Sequence, residues 1–202
     1  MTTVLSFPVS RRCLKFLALA LAAAALASCA TVPINLPPID RGNPSIMGSE
    51  TVPLDRFLSL AERRNPSLGR QAWTGVWRAY ADACDAEGVK QSVALTQMLH
   101  ETNWLKFGGD VKISQNNFAG LGVTGGGVAG LSFPDVPTGA LAHVQHLKAY
   151  ASTEPAAKRI VDPRFKYVKR GVAPTVRSLT GKWAMDPNYG DKLMRLYGQL
   201  IS

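Results

Sequence analysis

Apolar residues recur every three or four positions in several stretches of this chain, the spacing that puts them on one face of a helix. Residues 54–64 form the first such stretch, and Asn65-Pro66 closes it. In residues 69–87 the face is Trp73, Val76, Trp77, Tyr80 and Cys84, with Gly88 placed to cap the helix in a left-handed turn. Residues 89–104 predict an amphipathic helix with Val89, Val93 and Met98 inward and Glu101 in its last turn. The pattern returns over 137–151 through Leu141, Val144, Leu147 and Tyr150. A helix is expected near 174–180. Asp186-Pro187 is expected to open the last one, with Asp as N-cap, Pro at the first helical position, and Leu193, Leu196, Tyr197 and Leu200 buried.

The middle of the chain breaks this period. Residues 105–117 read as a polar loop. Two apolar runs, 118–123 and 128–133, flank Gly125-Gly126-Gly127, which predicts a small β-hairpin with a glycine turn. The expected fold is therefore α+β and mainly α, in one domain over residues 54–202.

The first 53 residues follow other rules. Arg11, Arg12 and Lys15 precede an apolar Ala/Leu run that ends at Leu26-Ala27-Ser28-Cys29. The run is short and small-residued, which suits an export signal over residues 1–28 better than a membrane span. Leu-Ala-Ser-Cys resembles the bacterial lipobox, so Cys29 is expected to carry acyl chains. An ordinary signal peptide cut nearby is the plainer alternative. Ala30 rather than Asp follows, a pattern similar to that of lipoproteins sorted to the outer membrane, facing the periplasm. Residues 29–53, rich in Pro, Gly, Ser and Asn, are expected to tether lipid to domain.

Charge narrows the partners. The chain has 23 basic and 14 acidic residues, for +9, and losing residues 1–28 removes three basic residues and leaves +6. That favours anionic surfaces such as cell wall and membrane. No nucleic-acid motif accompanies it, so nucleic acid is not an expected partner. Loss of residues 1–28 would take Cys13 with it and acylation would use Cys29, so Cys84 is left with no cysteine to pair with and reads as a core residue.

The candidate chemistry lies around Glu101. A carboxyl at a helix end, with Leu99, Trp104 and Phe118 as apolar neighbours, can hold its proton to higher pH and deliver it to a leaving oxygen. A solvated surface glutamate is the competing reading. His100-Glu101 does not continue to a histidine at 104, so the zinc-protease motif fails. His143 and His146 lie one turn apart and could ligate a metal with His100, but three histidines alone are a weak signal. Neither a metal nor a cofactor is expected.

Motifs add a family resemblance. The segment from Val93 through Glu101-Thr102-Asn103-Trp104 resembles the catalytic helix of bacterial cell-wall β-N-acetylglucosaminidases, glycoside hydrolase family 73. Asn116-Asn117-Phe118-Ala119-Gly120-Leu121 is similar to that family's Asn-Asn loop. Phe133 with the helix carrying Gly139 and Tyr150 resembles a third motif, and Trp183-Ala184-Met185-Asp186-Pro187-Asn188-Tyr189 a fourth. The resemblance implies a lysozyme-like fold whose groove takes peptidoglycan glycan strands, cleaved after N-acetylglucosamine. It implies Glu101 as general acid and Tyr189 as a tyrosine contacting the 2-acetamido group of the reacting sugar. Asn116, Asn117 and Phe118 would shape the groove floor, and Trp104 and Trp183 would stack on sugars. Asx-turn roles for the asparagines, and packing roles for the tryptophans, stay open.

The chain departs from the family in one respect. Residues 118–133 contain no acidic residue where many members carry a second carboxylate. Asp110 and Asp135 are the nearest candidates. A route assisted by the substrate's own acetamido oxygen, oriented by Tyr189, needs neither, and on that route Asp110→Asn and Asp135→Asn are each expected to retain measurable turnover, well above Glu101→Gln. Two alternatives to the hydrolase remain, a lytic transglycosylase and a non-catalytic peptidoglycan-binding lipoprotein.

Overall fold

The computed structural model describes residues 42–202. The expected export signal over residues 1–28, Cys29 and the first part of the tether lie outside the described residues. The fold is mainly helical: α1 (Leu54–Arg64), α2 (Arg70–Glu87), α3 (Gln91–Glu101), α4 (Val136–Ala151) and α5 (Tyr189–Ile201). Short 3-10 turns sit at Ile113–Gln115, Phe165–Tyr167 and Arg177–Leu179. The last of these replaces the helix expected near 174–180.

α3 is the axis of the molecule. Every residue from Gln91 to Leu99 is buried, so it is sheathed on all sides rather than amphipathic. α2 and α5 pack along it, and α2 in turn lies along α4. α2 ends where expected, at a left-handed Gly88 whose N–H bonds Cys84 O.

Part of the expected tether belongs to the packed domain. Residues 44–53 pack onto the domain as a strap. Ile46 and Val52 are buried, Ile46 N–H bonds Pro174 O, and Lys90 N–H bonds Ile46 O, both at 2.9 Å. Ser45 bridges Thr175 and Met47 bridges Val89. Burying a side chain the size of Ile46 contributes about 1.5–3 kcal/mol, enough to hold a segment with no helical propensity of its own. The packed body therefore begins about ten residues before Leu54.

The hairpin expected over 118–133 is not formed; that segment is a series of turns. Glycines 120, 122, 125, 126 and 127 all take positive φ, which breaks the extended backbone a strand needs. The Gln115 and Asn117 side-chain amides bond the carbonyls of Gly130, Leu131 and Leu121, where a ladder would have bonded backbone. One backbone bond, Leu131 N–H to Leu121 O at 2.8 Å, still joins the two arms. Among the described residues β pairing amounts to isolated bridges, so the α+β expectation reduces to mainly α.

The irregular stretch after α4 is pinned from within. The Glu87 carboxylate accepts from Lys148 Nζ, Gln145 Nε2 and the backbone N–H groups of Ala157 and Lys158, at 2.8–3.1 Å. Such a fully bonded buried carboxylate fixes the loop that carries Asp162, the partner of His146 at 2.7 Å.

Candidate active site

Glu101 is the last residue of α3, and the chain leaves it in an unusual way. Asn103, Trp104, Leu105 and Phe107 all have φ between 47 and 61°, a left-handed conformation that bulky residues seldom adopt. Tertiary bonds hold it there. Trp104 N–H bonds Leu99 O, Phe107 N–H bonds Thr102 O, and Thr102 Oγ1 accepts from Leu105 N–H. Asn65 Nδ2 donates to Trp104 O at 2.9 Å. The turn sends residues 107–111 back over the end of α3, where they wall a groove.

That groove has a volume of about 360 Å³ and is lined by Glu101, Phe107, Asp110, Gly120, Val123 and Trp183, among others. Glu101 and Asp110 are the two carboxyls in the lining. Tyr189, the first residue of α5 and itself buried, donates its hydroxyl hydrogen to Glu101 Oε1. α5 starts later than Asp186-Pro187 predicts because Asp186 forms a turn first. Its Oδ1 accepts from Asn188 N–H at 2.9 Å, and its carbonyl accepts from Tyr189 N–H at 3.0 Å. Gly190 then admits the preceding 3-10 turn: a Cβ there would stand 2.8 Å from Arg177 Cα.

The Glu101 carboxyl keeps one face open to solvent, while protein crowds it on the others. That crowding raises its pKa above the ordinary carboxylate value, against the lowering effect of hydrogen bonds from Tyr189 and Trp183. The negative end of the α3 dipole acts in the raising direction too. A carboxyl so placed keeps a proton to higher pH and has donors ready for the charge left when the proton goes.

The remaining expected site residues divide clearly. Trp183 lines the groove, half-buried, and packs against His146, Tyr150 and His143 at 5.2–5.8 Å between centroids. It shares the groove lining with the acid, as Trp104 and Phe118 do not. Trp104 instead meets the Arg64 guanidinium, 5.3 Å from its ring. Phe118 is buried edge-on to Tyr80 in the core. Asn117 is buried and braces the loop after it through Leu121 and Leu131. Asn116 donates to Phe133 O at 3.0 Å, and its carbonyl fits into the space left by Gly139, where a Cβ would come within 1.9 Å. These three residues support the groove rather than line it.

Asp135 is not in the groove. It is the exposed N-cap of α4, its Oδ1 accepting from Thr138 N–H at 2.7 Å, and that hydrogen bonding lowers its pKa. Asp110, the other candidate for a second carboxylate, is in the groove. Gln97, which the sequence reading passed over, donates to the Tyr189 hydroxyl at 2.9 Å. Its position one turn before Glu101 on the same helical face was the available signal.

A family model described as mannosyl-glycoprotein endo-beta-N-acetylglucosaminidase matches residues 77–201, the span from α2 to the end of α5. An uncharacterized protein of Borreliella burgdorferi is 40% identical over 158 residues, covering 78% of each chain. No solved structure matches the chain.

Proposed function

This chain belongs to the endo-β-N-acetylglucosaminidase family of glycoside hydrolases, and on that premise we propose that it hydrolyses peptidoglycan at the β-1,4 bond after N-acetylglucosamine. Glu101 delivers its proton to the leaving glycosidic oxygen as the bond to the anomeric carbon breaks. The sugar cation is met by water, whose proton passes to Asp110. Tyr189 holds Glu101 through its hydroxyl hydrogen. The observation that carries this reading is one glutamate, hydrogen-bonded by Tyr189 and beside the Trp183 indole, in a groove with a second carboxyl, its pKa raised by the protein around it.

Products test it. Digestion of purified peptidoglycan should yield new reducing N-acetylglucosamine ends by mass. Ends of 1,6-anhydro-N-acetylmuramic acid would make the enzyme a lytic transglycosylase, and no new ends on several wall preparations would make the protein a binding module.

The two aspartates separate cleanly. Asp110→Asn should lower kcat about 10²-fold, the low end for a general base, with Tm unchanged. Asp135→Asn should leave kcat alone and change Tm little, because the asparagine Oδ1 can still accept from Thr138 N–H. An Asp110→Asn enzyme with full turnover would instead assign the second step to the substrate's acetamido oxygen.

The amino-terminal motif supports a lipid anchor at Cys29 in a bacterial envelope, facing the periplasm. Wild-type protein should incorporate labelled fatty acid and need detergent for extraction, and Cys29→Ala should do neither. A wild-type protein free of label would end the anchor reading.

A further inference from the structure

Behind Tyr189 the hydrogen bonds run on into the core. Gln97 Oε1 lies 3.0 Å from His143 Nε2, and His143 Nδ1 lies 2.7 Å from the Tyr80 hydroxyl. With Gln97 bonded to Tyr189, and Tyr189 to Glu101, the run crosses α2, α4, α3 and α5. Tyr80, His143 and Gln97 have no exposed surface. A polar run this deep is costly unless every member is matched, so each link constrains the next.

The directions of the bonds can be worked out. Burial, with His146 nearby, pushes the His143 pKa down to about 3, so the ring is neutral and carries one N–H. Tyr80 is buried and its pKa is raised, by desolvation and then by Cys84, so it stays a phenol. Its hydrogen needs an acceptor, and His143 Nδ1 is the one beside it. A hydrogen on Nδ1 would strand the Tyr80 hydrogen in the core. Nε2 therefore carries the ring hydrogen, and Gln97 must turn its Oε1 to it. The Gln97 amide then presents N–H to Tyr189. The Tyr189 oxygen is thus an acceptor on its inner side, and its own hydrogen points outward to Glu101.

The geometry points to Tyr80, His143 and Gln97 as positioning residues that set the direction of the Tyr189 hydroxyl and commit its hydrogen to the groove. The inference rests on the roles proposed above for Glu101 and Tyr189. Its value to the reaction is that the carboxylate formed on proton delivery meets a donor already aimed at it, with no reorientation at that moment. The titratable groups facing Glu101 are Tyr189 from α5 and Asp110 from the loop after α3, beside the Trp183 indole. Those facing His143 are Tyr80 from α2, with Cys84 behind it, and His146 on its own helix.

Two variants of the full chain reverse or release the direction. Gln97→Glu replaces the amide N–H₂ with an acceptor and turns the Tyr189 hydrogen inward. It should lower kcat about 10- to 100-fold, the scale of a hydrogen bond to a charged group, with little change in KM. Tyr80→Phe frees the His143 tautomer and should lower kcat by less. In a Tyr189→Phe background neither change should lower kcat further, which a merely structural defect would not obey. Histidine ¹⁵N spectra give a readout apart from activity: wild-type His143 should be the Nε2–H tautomer, and Tyr80→Phe should shift it toward Nδ1–H. Glu101→Gln is measured alongside. If Glu101→Gln is inactive while both variants turn over like wild type, the positioning role is overturned and the acid stands. An Nδ1–H tautomer in wild type, or full additivity with Tyr189→Phe, overturns it as well. An active Glu101→Gln enzyme overturns the reading beneath it. Should Gln97→Glu not fold, Tyr80→Phe and the wild-type spectrum decide.

Discussion

Glu101→Gln should lower kcat on purified peptidoglycan by about 10³–10⁴-fold while leaving the fold intact, the upper range for loss of a positioned general acid. Gln keeps the shape of the side chain and can still accept from Tyr189, but it has no proton to give. The pH dependence has a definite sign. The acid works in its protonated form, so kcat falls as pH rises through the Glu101 pKa, and raising that pKa extends activity toward neutral pH. Stability runs in the same direction. A carboxyl whose folded pKa exceeds its unfolded one contributes fully below the unfolded pKa, and that contribution is lost as pH rises through the folded pKa. Above that window Glu101→Gln should melt at a higher temperature than wild type. A variant with wild-type kcat, or one less stable than wild type at neutral pH, contradicts this account of the acid.

Tyr189→Phe should lower kcat about 10²–10³-fold, as expected for a positioned donor to developing charge. It also shifts the profile. The Tyr189 hydrogen bond is the first of the two that lower the Glu101 pKa, so removing it should carry the alkaline limb to higher pH even as the maximum falls. Slower turnover together with a broader range is hard to obtain from misfolding. A kcat near wild type with an unmoved limb would return Tyr189 to a packing role at the start of α5.

The helices were legible because their apolar spacing is strong and their ends are marked. α1 stops at Asn65-Pro66 and α2 at Gly88, as the residues require. Glu101, Tyr189 and Trp183 were legible as motif residues, and the groove brings the three together. What the sequence hid was set by tertiary contacts. The left-handed run through Trp104, Leu105 and Phe107 contradicts the preferences of those residues, and it is this run that carries Asp110 into the groove. The apolar runs around Gly125-Gly126-Gly127 read as strands, but the side-chain amides of Gln115 and Asn117 took the carbonyls a strand partner would have used. Gln97 shares a helical face with Glu101, but nothing local to His143 records that it will meet a polar residue of another helix.

The strap at residues 44–53 sets how far the body would reach from the lipid anchor proposed at Cys29. A chain fixed at Cys29 with its body starting at Leu54 would have 25 residues of slack, about 85 Å at full extension. With Pro44 already buried against the body, the slack is 15 residues and about 50 Å. On the anchor proposed at Cys29, the shorter span would keep the groove to the wall layer nearest the membrane. Lengthening residues 30–43 with a flexible insert would then move the zone of cleavage outward without altering the groove.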